Sequence, residues 1–301
     1  MRLATIDIGT NTILLLVAEV ADGAVRVLAE RAEITRLGRG IGDGGGLGRP
    51  GIERTLAMLA EYATIAAAHG ARLHAIGTEA LRRAPNAQEF LAPAGAILGS
   101  AVEVIDGDRE AALTFLAALR SFPQLLTGSA VVIDIGGGST EIIVARAGRI
   151  TFRKSLAIGS VRLTERHIKH DPPAPTELAA VEDEIVRQLD SVPFPAPPLT
   201  LVGTAGTVTS LCAMSLALSS YDPDRVHGHR LSLAALDREI ARLRASTQAE
   251  REHMAGLDPR RADVILAGAA ILRHIASAAG TSEILVSDRG IRWGLLYEKA
   301  G

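Results

Sequence analysis

Cysteine is nearly absent from this chain of 301 residues. Cys212 is the only one, which excludes an intramolecular disulfide and any cysteine-rich metal site. Lysine is almost as scarce, at Lys154, Lys169 and Lys299, so anion contacts must come mainly from arginine and backbone amides. Aromatic residues make up 3% of the chain, which leaves few rings for stacking on a base. There is no basic excess: 32 Lys and Arg face 34 Asp and Glu, for a formal charge of −2. That balance speaks against a protein gripping duplex nucleic acid along its length. No apolar run reaches the ~20 residues needed to span a bilayer, so no membrane association is expected. Met1 leads straight into a strand-like run, without the basic and apolar stretches of a signal peptide. The absences together point to a cytoplasmic protein of a reducing compartment. What is present is apolar material, 48% of residues with a mean hydropathy of +0.22, enough to exclude global disorder. The length fits two domains of about 150 residues each.

The chain contains two similar halves. Residues 3–8 (LATIDI) and 13–20 (ILLLVAEV) read as paired strands around Gly9-Thr10-Asn11-Thr12. Residues 130–135 (AVVIDI) and 141–146 (EIIVAR) repeat the pattern around Gly136-Gly137-Gly138-Ser139-Thr140. A third strand-like segment follows each copy, at 25–31 and 150–156. Asp7 and Asp134 hold the same place, at the end of the first strand. A repeat of this size predicts duplicated domains facing each other across a cleft. The remainder alternates: helices at 52–69, 86–94, 108–120, 159–169, 176–191, 232–244 and 260–279, with strands at 73–77, 102–105, 199–203 and 283–287. Strand runs as apolar as VVIDI predict sheets covered on both faces. The boundary is expected near 121–129, giving domains 1–125 and 126–301, with a last helix at about 290–301 that can return to the first.

Glycine-rich turns can wrap phosphate, because their N–H groups approach without obstruction by a Cβ and converge into an anion nest. Thr10, Asn11, Thr12, Ser139 and Thr140 would add side-chain donors. Asp7 and Asp134 are hard oxygen ligands suited to Mg²⁺. A third turn, Gly203-Thr204-Ala205-Gly206-Thr207, follows a strand and opens a helix, where an anion is accepted at the N-terminus; alone it is also an ordinary strand-to-helix turn. GGGSTE runs into another strand, so the dinucleotide fingerprint fails, and the Walker pattern with its lysine is absent.

These segments resemble the exopolyphosphatase/guanosine pentaphosphate phosphatase family, a branch of the actin-like ATPase superfamily. ATIDIGTNTILLLV is similar to its first phosphate hairpin, with Thr12 where Ser is usual, and VIDIGGGSTEIIV to its second. GTEALRRAPNAQEFL, VIDGDREA, IGSVRLTE, LVGTAGTVTSL, RVHGHRLS, RADVILAGAAIL and SDRGIRWGLL resemble further family blocks, in the family's order. The resemblance implies an α/β protein of two duplicated actin-like (ribonuclease H-like) domains with a cleft between them, in a short two-domain form. It implies metal-assisted release of terminal phosphate from inorganic polyphosphate, and conversion of pppGpp to ppGpp as a second activity. It assigns the catalytic base to Glu110. Phosphate binding falls to Gly9, Thr10, Asn11, Thr12, Arg82, Gly136, Gly137, Gly138, Ser139, Thr140 and Gly206. Mg²⁺ or another divalent cation falls to Asp7, Asp134 and Glu141. The chain departs from the pattern at Asp106, which stands for Ser, and at Arg109, which stands for Glu.

Residue chemistry fits these roles and also offers plainer ones. Glu110 lies near a helix start, where the dipole favours an ionised carboxylate, as any helix-start acid does. Arg82 offers bidentate donors to phosphate, while Arg83 reads as a solvated surface charge. Arg261, Arg289 and Arg292 read as structural or surface residues. His227 and His229 suit a loop or channel better than a metal, and Cys212 suits an apolar helix. The run 38–51 (GRGIGDGGGLGRPG) reads either as a mobile clamp over an anion or as a solvent loop. An ATP-dependent kinase and a non-enzymatic polyphosphate or nucleotide sensor are the competing functions, and a homodimer is left open.

Overall fold

The computed structural model describes residues 1–42 and 44–301; Asp43, inside the glycine-rich run, lies outside the described residues. The chain divides into two compact units, Met1–Ala117 with Ile291–Gly301, and Ala118–Gly290. The division falls inside the helix Gly107–Ser121, ahead of the 121–129 segment marked by the sequence.

The first unit is built on five strands: β1 (Arg2–Ile8), β2 (Thr12–Ala21), β3 (Ala24–Ile34), β4 (Arg72–Gly77) and β5 (Glu103–Val104). Their order is β3-β2-β1-β4-β5, antiparallel through β1, β2 and β3 and parallel from β1 to β5. Alternation decides which helices cover which face. Ala4, Ile6 and Ile8 of β1 join a core with Leu59 and Tyr62 of the helix Arg49–Ala68 and Phe90 of the helix Gln88–Leu98. Leu3, on the other face, meets Ala117, Trp293 and Leu296, which puts the 107–121 helix and the C-terminal helix Ile291–Ala300 there. The 88–98 helix runs four residues past its expected end, through Pro93, and stops where Gly99 adopts a left-handed φ of 66°.

The second unit has six strands: β6 (Ser129–Ile135), β7 (Thr140–Arg146), β8 (Arg149–Leu156), β9 (Leu199–Thr204), β10 (Arg230–Ser232) and β11 (Glu283–Val286). Their order is β10-β11-β9-β6-β7-β8. Read from β8 inward, the hairpin pair and the parallel strands after it repeat the order of the first unit, so the duplication seen in sequence is a duplication of topology. One face buries the largest core, with Val131, Ile133 and Ile142 against the helices Val161, Val181, Leu211 and Ile271 belong to. Among the described residues, no helix is long and apolar enough to cross a membrane.

Candidate active site

The two predicted phosphate turns have the same geometry. In each, the flanking strands stay paired to the last residue, Ile8 with Ile13 and Ile135 with Thr140, leaving four residues to turn. Gly9 donates its N–H to the Thr12 carbonyl at 3.0 Å, and Gly136 to that of Ser139 at 3.0 Å. A Cβ at either glycine would lie 3.1 Å from the facing carbonyl oxygen, which explains both glycines.

Each turn is held by its carbonyls. Thr35 and Arg36 donate to the Asn11 carbonyl at 3.1 and 2.9 Å, and Gly38 to that of Thr10 at 2.8 Å. In the second unit the start of the helix Ser160–His167 does this work. The N–H of Ser160 reaches the Gly136 carbonyl at 3.0 Å, those of Val161 and Arg162 reach Gly137, and Arg162 Nε reaches Gly138 at 2.6 Å. With the carbonyls so occupied, the N–H groups of Thr10, Asn11, Gly137, Gly138 and Ser139 have no protein acceptor among the described residues. On each turn by itself, backbone N–H groups left over in this way are the kind of donor from which an anion nest is built. The side chains divide differently from expectation. Thr10 Oγ1 donates to Glu79 at 3.4 Å and Thr140 Oγ1 to the Ile158 carbonyl at 2.7 Å, so both hydroxyl protons are used within the protein. Asn11 Nδ2, in contrast, is buried with no partner among the described residues.

Asp7 alternates onto the β1 face covered by the 107–121 helix, where its β4 partner Ile76 packs on Leu113. Glu110, one turn before Leu113, is 5% exposed. Arg82 closes the group: its Nη1 donates to the Ile105 carbonyl at 2.7 Å and lies 3.5 Å from Glu110 Oε2. Arg82 comes from the short helix Glu79–Arg83, directly after β4. Arg83 is exposed, as expected of a surface charge, and it also pairs with the buried Glu79 at 3.1 Å.

In the second unit strand register assembles a polar row. Asp134 lies opposite Glu141 of β7 and Thr204 of β9, and Glu141 lies opposite Ser155 of β8. Paired residues share a face, so Thr204, Asp134, Glu141 and Ser155 line up across four strands. Ser155 Oγ donates to Glu141 Oε1 at 2.7 Å. A Cβ on Gly290 would stand 3.3 Å from Thr204 Oγ1 and 3.7 Å from Asp134 Oδ2, so the SDRG segment lies close against this row. At the third turn Ala205 takes a left-handed φ of 68°, and the Arg261 guanidinium lies on Gly206, 2.4 Å from where a Cβ would be. Burial lowers the Arg261 pKa.

The other residues weighed from sequence fall elsewhere. Arg292 is buried and paired with Glu30 in the first unit. His227 stacks on Phe122 with centroids 5.1 Å apart, and burial pushes its pKa down to about 4. Cys212 is fully buried, and desolvation pushes its thiol up to about 12.

The model of the Ppx/GppA phosphatase family matches residues 16–301. This chain belongs to that family. It is 36% identical to exopolyphosphatase 2 of Mycobacterium tuberculosis, over 100% of this chain and 99% of that one. It is 31% identical to the guanosine-5'-triphosphate,3'-diphosphate pyrophosphatase of Vibrio cholerae, over 98% of this chain and 58% of that one. The solved structure of the Aquifex aeolicus PPX-GPPA enzyme is 35% identical and superposes with a TM-score of 0.84, over 99% of both chains. The family member described here is therefore a phosphatase with the two-domain actin-like α/β fold.

A divalent cation fits the second unit's row. Asp134 and Glu141 are both buried and directly opposed on one face, a pair of hard oxygen donors of the kind Mg²⁺ takes. Thr204 Oγ1 is buried beside them with no partner among the described residues. No cluster of three or more His, Cys, Asp or Glu suited to a metal occurs among the described residues. Mg²⁺ takes one or two carboxylates and completes its shell with water and substrate phosphate. The equivalent row of the first unit is Ile76, Asp7, Leu14 and Ala32, a lone acid among apolar residues. Three members of these assemblies are not singled out by the sequence. Thr204 is visible only as part of a turn, Ser155 only as part of a strand and Glu79 only as one letter of TEALRR; the signal for Thr204 and Ser155 is register across the sheet, which spacing along the chain does not carry.

Proposed function

We propose that this enzyme is an exopolyphosphatase, releasing the terminal phosphate of inorganic polyphosphate by attack of a water that Glu110 deprotonates. The observation that carries it is the pair of matched turns, with five backbone N–H groups left for the oxygens of a phosphate chain. Family membership supports the reaction class, and the name of the M. tuberculosis relative supports the substrate. The name of the V. cholerae relative supports a second activity, conversion of pppGpp to ppGpp by the same residues.

Phosphoryl transfer asks for charge neutralisation, alignment and a positioned water more than for covalent chemistry. The turn amides and Asn11 Nδ2 hold non-bridging oxygens. Arg82 fixes the Glu110 carboxylate through Nη1 and offers its other nitrogens to phosphate. Glu110 takes the proton as the water oxygen bonds to the terminal phosphorus, the bridging P–O bond breaks, and the shortened chain leaves with the bridging oxygen. Asp134 and Glu141, with Thr204, would hold a divalent cation, and Asp7 is the first unit's acid for the same purpose. When bound, that ion supplies Lewis-acid neutralisation of the phosphate oxygens. Glu110→Gln, which keeps shape and loses the base, is expected to lower kcat by about 10²–10⁴-fold. The assay is Mg²⁺-dependent orthophosphate release from long-chain polyphosphate. Undiminished release by the variant overturns the role of Glu110, and transfer to an acceptor instead of water overturns the hydrolase.

A further inference from the structure

Glu79 is a buried carboxylate, 5% exposed, set directly behind an anion-binding turn. A negative charge there opposes the ligand the turn is built for, and burying it costs several kcal/mol unless it is paired. We propose that Glu79 is a positioning residue: it fixes Thr10 and, through Arg83, ties the glycine-rich segment to the first phosphate turn. This role rests on the phosphate-binding reading of that turn.

Thr10 has a single O–H proton, and Glu79 Oε2 accepts it at 3.4 Å. The hydroxyl is thereby taken up on the protein side, and the Thr10 N–H is left for phosphate. The other carboxylate oxygen accepts from Arg83 Nη1 at 3.1 Å, and Arg83 Nη2 donates to the Gly42 carbonyl at 3.1 Å. The same segment is fixed at two further points. Gly38 donates to the Thr10 carbonyl, and a Cβ there would stand 2.5 Å from Thr10 Cγ2. Leu47 exchanges two hydrogen bonds with the Asn86 amide, N–H to Oδ1 at 2.7 Å and Nδ2 to carbonyl at 3.1 Å. Leu37, Ile41 and Leu47 are buried in the core between these points. The segment is therefore a strap fastened to the turn, and Glu79 and Arg83 are its buckle.

Orthophosphate release from polyphosphate tests this with Glu79→Leu, Glu79→Gln, Thr10→Val and the double variant Thr10→Val/Glu79→Leu. Glu79→Leu is expected to raise KM by about 10-fold with kcat changed much less, as loss of uniform binding does. The amide oxygen of Glu79→Gln still accepts from Thr10, so this variant is expected to recover most of that loss. Because Glu79 acts through Thr10, the double variant is expected to be no worse than the worse single one. Multiplied effects in the double variant, or a Gln variant no better than Leu, would assign Glu79 a merely structural role and overturn the proposal. As a check independent of turnover, Arg83→Met is expected to speed amide hydrogen exchange at Gly38 and Ile41; unchanged exchange breaks the link to the strap. A wild-type enzyme that releases no phosphate fails at an earlier step and overturns the function and the role together.

Discussion

Asp106 and Arg109 depart from the family pattern, and each has a structural use. Asp106 Oδ1 accepts the Arg109 N–H at 2.8 Å, so Asp caps the 107–121 helix as Ser would. The Arg109 guanidinium is paired with Glu298 of the C-terminal helix and lies 3.8 Å from Glu103. That pairing raises the Arg109 pKa and lowers that of Glu298, and it ties the C-terminal helix to the helix of Glu110. His227 gives a prediction in pH. Its folded pKa of about 4 lies below the usual 6.5, so the unfolded chain binds more protons between these values. Stability is therefore complete above pH 6.5 and is lost as pH falls towards 4. Discounted for partial exposure, the loss is about 1–2 kcal/mol. Denaturant unfolding of wild type and His227→Gln across pH 4–7 checks this: the variant's slope should be shallower, and parallel curves would contradict the assignment.

At the scale of elements, backbone approach decides more than side-chain chemistry. Gly159 begins the 160–167 helix, and a Cβ there would lie 2.4 Å from the Gly137 carbonyl oxygen. Gly159→Ala should push the second turn out of place and raise KM by about 10²-fold, the cost of an ångström-scale misplacement. Kinetics beside a thermal melt would separate this from unfolding. Gly294 sits in the C-terminal helix where a Cβ would come 2.0 Å from the Leu113 carbonyl oxygen. Gly294→Ala should therefore cost about 1–3 kcal/mol by overpacking and lower activity by displacing the helix of Glu110. Denaturant titration measures that cost, and an unchanged midpoint would contradict it. Local pattern made most elements legible: apolar runs ending in IDIG gave the hairpins, and helical spacing gave the long helices. The short helix Glu79–Arg83 and strand β10 (Arg230–Ser232) had too few residues for any period to show. Thr10 and Thr140 looked like phosphate donors because their types fit; their acceptors, Glu79 and Ile158, are 69 and 18 residues away. The glycine run reads as flexible from composition, and among its described residues Ile41 and Leu47 are buried.

The whole molecule is a duplicated scaffold with divided chemistry. Both units share a sheet order and a four-residue turn, but Glu110, the proposed base, belongs to the first and the opposed carboxylates to the second. A formal charge of −2 is compatible with a polyanionic substrate when the counter-charge is local, as the proposed roles of the turn amides, Arg82 and a divalent cation would make it. Removal of divalent cations by a chelator should abolish release, and Asp134→Asn should raise the Mg²⁺ concentration required. The most direct test of the account is hydrolysis of polyphosphate in ¹⁸O-labelled water with Mg²⁺, by the wild type and by Glu110→Gln. Attack of water on the terminal phosphorus predicts one labelled oxygen in each released orthophosphate, and almost no release by the variant. Label appearing in the shortened chain instead, or release that survives the loss of Glu110, would contradict it.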